Sequence, residues 1–140
     1  MTGPALKKAD SHRMIHSAAR GEIEEATMFL ERFHENSEDV NNLALQAVVE
    51  LWKSKVIAHA EEEENTLYRD IEKIDIKFNP VIERLSRDHE VLRKLCGMLE
   101  SEMSKKDYMH ALQIAHALML LNDIHSGDEI SLIREVENNL

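Results

Sequence analysis

The chain has 140 residues, enough for one domain with a proper core and too few for two. Apolar residues make up 43% and charged residues 31%, a globular balance, while four Gly, two Pro and 4% aromatics leave little material for sheets. A net charge of −10 repels phosphate backbones and anionic lipid alike, so neither nucleic acid nor membrane is expected as a partner.

The first residues (MTGPALKKADSHR) lack the apolar core of a signal peptide, and no run has the length and apolarity of a membrane span. Cys96 is the only cysteine, which excludes an internal disulfide and a cysteine metal motif. A cytoplasmic, reduced setting is the expectation. Residues 1–9 read as a tail and 10–137 as one domain.

Turn signals divide that domain into four predicted helices, in chain order 10–35, 38–72, 80–104 and 107–137. Ser37 with two acids behind it opens the second, Asn79-Pro80 the third, and Ser104 or Asp107 the fourth. Steps of three and four define one seam per helix. The first runs His12, His16, Ala19, Ile23, Ala26, Leu30, Phe33, and the second Leu45, Val49, Trp52, Val56, His59, Glu63, Leu67. The third is Ile82, Leu85, His89, Leu92, Cys96, Leu99, Met103, and the fourth Ala111, Ala115, Leu118, Asn122, His125, Glu129, Leu132, Val136. Four amphipathic helices with short connections predict an all-α, up-down-up-down antiparallel four-helix bundle.

Every seam is interrupted by histidine, and two also by carboxylate. Such groups are costly to bury unless paired or bound to metal. His59 with Glu63, and His125 with Glu129, are four apart and therefore converge from one helix face. In an antiparallel hairpin, residues at equal height are equidistant from the turn. The midpoint of 16 and 59 falls at the Ser37 turn, that of the 59/63 pair and 89 within 73–80, and that of 89 and 125 at Asp107. His16, His59, Glu63, His89, His125 and Glu129 are thus predicted to share one slab of the interior. Four imidazoles and two carboxylates exceed the needs of a four-coordinate structural zinc. They suit two six-coordinate ions with bridging carboxylates, iron or manganese rather than calcium or copper.

The pattern resembles the hemerythrin-like, HHE cation-binding family over about residues 10 to 135, through IHSAARGEIEEA, IAHAEEEENTLY, RDHEVLRKL and IHSGDEISLI. The resemblance implies a non-haem di-iron centre, oxo- or hydroxo-bridged, with roles in oxygen, nitric oxide or peroxide chemistry or in iron handling. Manganese or zinc can occupy the same ligands. A sensor built on this domain would act through a separate protein partner. Oxygen-carrying hemerythrins are expected to carry a second helix-three histidine and a final His-x-x-x-x-Asp, whereas Leu85 and Arg93 flank His89 here and Glu129 follows His125 by four. A site short of one imidazole shifts the expectation from oxygen carriage toward sensing, scavenging, peroxide decomposition or iron binding.

Other readings compete. A ferritin-like site wants two Glu-x-x-His motifs, and only Glu31-x-x-His34 is present; zincin-type His-Glu-x-x-His is absent. A metal-free interaction bundle would use the His/Glu pairs as ordinary helix-surface ion pairs. His12 competes with His16 for the first-helix position, with the Ser37 midpoint and the family pattern favouring His16. Asn122 reads either as a group that orients a ligand or as a register asparagine. Of the acidic run 61–64 only Glu63 falls on the seam. Cys96, Trp52 and Phe33 read as core, Tyr68 as packing or a hydrogen-bonding neighbour of the site, and His34, His110 and His116 as lying off the slab.

Overall fold

The structure, a computed structural model, describes residues 3–140, and these are helical almost throughout, with no strand among them. Helix α1 covers Gly3–Leu30, α2 Glu38–Leu51, α3 Ala58–Asn65, α4 Leu67–Ile74, α5 Asn79–Lys105 and α6 Tyr108–Asn138. A π-helical turn, Trp52–Ile57, joins α2 to α3, and a short 3-10 turn, Ile76–Phe78, leads into α5. No helix among the described residues is long and apolar enough to cross a membrane.

Helix α1 starts at Gly3, ahead of the expected residue 10, so most of the expected tail is helical; residues 1 and 2 lie outside the described residues. The segment holds helix formers, and Pro4 falls in the first turn, where its missing N–H costs nothing. The same helix ends at Leu30 rather than 35. The chain tightens into turns there, and the Asn41 side-chain amide donates to the Phe33 carbonyl at 2.9 Å.

The predicted helix 38–72 is interrupted twice. In the π-helical turn the Ala58 N–H reaches back five residues to the Lys53 carbonyl, which inserts one extra residue and resets the phase of everything after it. At Thr66 the backbone departs from helix (φ −123°, ψ −74°) while its hydroxyl donates to the Glu62 carbonyl at 2.8 Å, a back-bond that bends helices.

Caps fix the remaining ends. The Ser37 hydroxyl accepts from Val40 N–H at 3.2 Å, with Glu38 and Asp39 matching the helix dipole. Asp107 caps α6 by accepting from His110 N–H at 3.1 Å, after Lys106 takes the left-handed conformation that closes α5. Asn79 caps nothing: it is already helical, and Asp75 instead accepts from Lys77 N–H at the 3-10 turn.

Two apolar clusters form the core. One gathers Ile23, Leu30, Leu45, Val49, Trp52, Val56, Leu92, Leu99 and Leu118; the other gathers Ala9, Leu67, Tyr68, Ile71, Phe78, Ile82, Leu85, Leu132 and Val136. Along α1 the second cluster precedes the first; along α2 to α4 the order reverses, along α5 it reverses again, and along α6 once more. Between the two clusters, on every path, lie the histidines and glutamates of the seams. Burial of a side chain of Leu or Phe size stabilises by about 1.5–3 kcal/mol, so the apolar clusters on both sides fix the height of the polar layer.

Candidate metal centre

Helix α1 brings His12 and His16, α3 brings His59 and Glu63, α5 brings His89, and α6 brings His125 and Glu129. The four innermost groups, Glu63, His89, His125 and Glu129, are at most 4% exposed. His12, His16 and His59 close the cluster on its outer side, with side chains 12%, 16% and 24% exposed. All six side chains predicted for the slab therefore stand close together. His12, which competed with His16 for one place, joins it: their rings are 5.8 Å apart, and each is within 5.8 Å of the His59 ring. The sequence count of four imidazoles becomes five. The signal was available, since α1 offers an i, i+4 pair on its seam as α3 and α6 do, while the height argument admitted one residue per helix.

Each carboxylate looks two ways. Glu63 Oε1 is 3.5 Å from His89 Nε2, while its Oε2 is 3.3 Å from His12 Nε2 and 3.5 Å from His59 Nε2. Glu129 Oε2 is 3.5 Å from His125 Nε2, while its Oε1 is 3.7 Å from both His12 Nε2 and His16 Nε2. His89 Nε2 and His125 Nε2 are 3.0 Å apart. Donor atoms about 2.1 Å from a common ion stand ~3.0 Å apart at a right angle and ~3.4 Å apart in a tetrahedron; the separations here, 3.0 to 3.7 Å, begin in that range and run slightly beyond it. Two groups of donors, Glu63/His89/His125/Glu129 and His12/His59/Glu63, each lie within 4.8 Å of one another and can hold a metal ion. His59 Nε2, Glu63 Oε2 and Glu129 Oε1 are buried without a hydrogen-bond partner, a cost of about 1–3 kcal/mol each that a cation would remove.

The imidazoles and carboxylates of the cluster shift one another's ionisation. Burial raises the Glu63 carboxyl, but the imidazoles of His12, His59 and His89 overcome this and hold it well below the usual carboxylate range. Burial, reinforced by Glu63 and opposed by His125, pushes Glu129 up. Burial pushes His16 down to about 4. The Glu63 carboxylate raises His59, and for His125 the pull of Glu129 and Asp88 outweighs burial and raises it too.

A supporting layer surrounds these groups. Tyr68 donates its hydroxyl to Glu129 Oε2 at 2.6 Å and stacks on the His89 ring, with centroids 5.5 Å apart, so it both packs and hydrogen-bonds. Asp88 accepts from His125 Nδ1 at 3.0 Å. Glu64, expected on the solvated face, is half-buried; it pairs with Arg93 and lies 3.5 Å from His89 Nδ1. Sequence reasoning missed Asp88 and Glu64 because each acts on a histidine from another helix.

A cavity of about 20 Å³ opens against the cluster, lined by His16, His59, His125 and Asn122 on its polar side and Ala19, Val56, Ala60 and Leu92 on its apolar side. The remaining histidines are elsewhere. His34 packs on Phe33, and His116 pairs with Glu31 at 2.8 Å on the surface. His110 bonds the buried Glu102 at 2.9 Å beside Lys105 at the α5–α6 turn.

No family model matches this chain, and neither does any curated protein or solved structure.

Proposed function

We propose that this chain is a hemerythrin-like non-haem di-iron protein, an up-down-up-down antiparallel bundle that binds oxygen, nitric oxide or peroxide for sensing or for protection against oxidative or nitrosative stress. The observation that carries the reading is the two-sided placement of Glu63 and Glu129, each offering one oxygen toward His89 and His125 and the other toward the His12/His16/His59 side. Two carboxylates arranged so serve two ions better than one. The alternating order of the apolar clusters along the four helical paths supports the antiparallel arrangement.

Iron held by imidazole and carboxylate with an open position supplies reversible binding of small oxidants and electron exchange with them. The chain's own residues set what reaches it. A water needs about 10–15 Å³, so a cavity of about 20 Å³ has room for a molecule of two or three atoms beside the cluster. Val56, Ala60 and Leu92 supply the apolar part of its wall, and Tyr68 holds the Glu129 carboxylate in place.

The test is metal analysis of protein made in iron-replete cells, followed by oxygen, nitric oxide and peroxide titration under optical monitoring. Two irons per chain, lost on Glu63→Ala, with spectral changes on titration, is the expected result. Stoichiometric zinc or manganese with no response would retain the site and discard the chemistry. Absence of any metal, with His125→Leu stabilising the fold, would leave a metal-free helical module.

A further inference from the structure

Asp88 and His89 are neighbours on α5, yet they serve different helices. His89 enters the cluster, while Asp88 turns toward α6 and accepts from His125 Nδ1 at 3.0 Å. An ionised carboxylate only accepts, so this bond fixes the ring proton on Nδ1 and leaves Nε2 with its lone pair free. Nε2 is the atom that faces His89 Nε2 at 3.0 Å and Glu129 Oε2 at 3.5 Å. We infer that Asp88 is a positioning residue of the centre, holding the His125 imidazole in the orientation and tautomer in which Nε2 donates to a transition-metal ion. The inference rests on the metal-centre reading above.

Among the described residues the other polar partners of His125, His89 and Glu129, face its Nε2, and a ring released from Asp88 is free to carry its proton on Nε2 or to flip, either of which removes the donor. The comparable group behind His89 is Glu64, but its oxygen is 3.5 Å from His89 Nδ1, too far for a hydrogen bond, and Arg93 already takes its charge. The two carboxylates therefore differ in role. Asp88 is the one whose loss releases a metal-facing ring, and its side chain is 22% exposed, so it can be replaced without opening the core.

Metal-free protein is titrated with Zn²⁺ against a chromophoric chelator, comparing wild type with Asp88→Ala, Asp88→Asn and Glu64→Gln. Removing such a partner weakens metal binding by about 10–100-fold, the loss expected for Asp88→Ala with the helical content of the metal-free protein retained. Asp88→Asn, whose amide oxygen accepts the same N–H, recovers part of that loss, and Glu64→Gln loses less than Asp88→Ala. Ring-nitrogen NMR of the metal-free protein supplies a readout that packing alone does not move: His125 carries its proton on Nδ1 in wild type and redistributes it in Asp88→Ala. Equal Zn²⁺ affinity in wild type and Asp88→Ala, or an Nε2-protonated His125 in wild type, overturns the role of Asp88 while the metal centre stands. Failure of wild type to bind any metal overturns the metal-centre reading and this role with it.

Discussion

His89 Nε2 and His125 Nε2 face each other across 3.0 Å in an interior layer where both residues are at most 3% exposed. With Asp88 accepting the proton of His125 Nδ1, at least one lone pair points into that gap, and the arrangement is favourable only with a cation or a proton between the rings. The same logic applies to the two buried carboxylates on either side.

Metal stoichiometry is expected to split by residue. Glu63 belongs to both donor groups, so Glu63→Ala should lose essentially all bound metal. His16→Ala touches only the outer side and should retain about one ion per chain. Elemental analysis of the purified variants checks both.

Glu129→Gln should change sign with metal. In the metal-free protein it removes one of two buried neighbouring carboxylates and should stabilise by roughly 1–2 kcal/mol. In the metal-loaded protein it removes a donor and should destabilise, since a ligand that binds only the folded state adds to its stability. Chemical denaturation with and without a chelator separates the two cases.

Tyr68→Phe deletes a 2.6 Å hydrogen bond to a buried carboxylate while preserving the stack on His89. Bonds to charged groups contribute about 1.5–3 kcal/mol, and a loss of that order is expected in a denaturation midpoint, with the variant still folded.

In the metal-free protein, stability should respond to pH through His16. Its folded pKa of about 4 lies below the unfolded 6.5, so the unfolded chain takes up the proton first and this residue's contribution falls as pH drops from 6.5 to 4. His59 and His125 are shifted upward and act oppositely: their contribution is full below 6.5 and fades as pH rises through their folded values. Comparing wild type with His16→Gln at pH 7 and 4.5 isolates the first effect, and the variant should lose less stability on acidification.

Deleting Ser54 should remove the extra residue that the π-helical turn absorbs, restoring a regular helix while His59 and Glu63 stay on the interior face. Metal binding should survive the deletion, and elemental analysis of the purified variant checks it.

The helices and the residues facing inward were legible in the sequence because apolar period and capping chemistry are local. Ser37 and Asp107 cap as their side chains allow, and the polar interruptions of the seams come together in one interior layer. Composition also set the all-helical class. Three features needed the tertiary structure. The π-helical turn before His59 and the bend at Thr66 depend on which carbonyl a given N–H finds, a choice between geometries of similar energy that packing settles. His12 joins His16 because the polar layer is about one helical turn thick, a dimension set by the apolar clusters above and below it. Asp88 and Glu64 reach histidines on other helices, and no spacing within one helix records where a side chain meets its neighbour. Sequence period determined which faces are buried; packing between helices decided which atoms meet there, because donor geometry depends on distances across helices rather than along them.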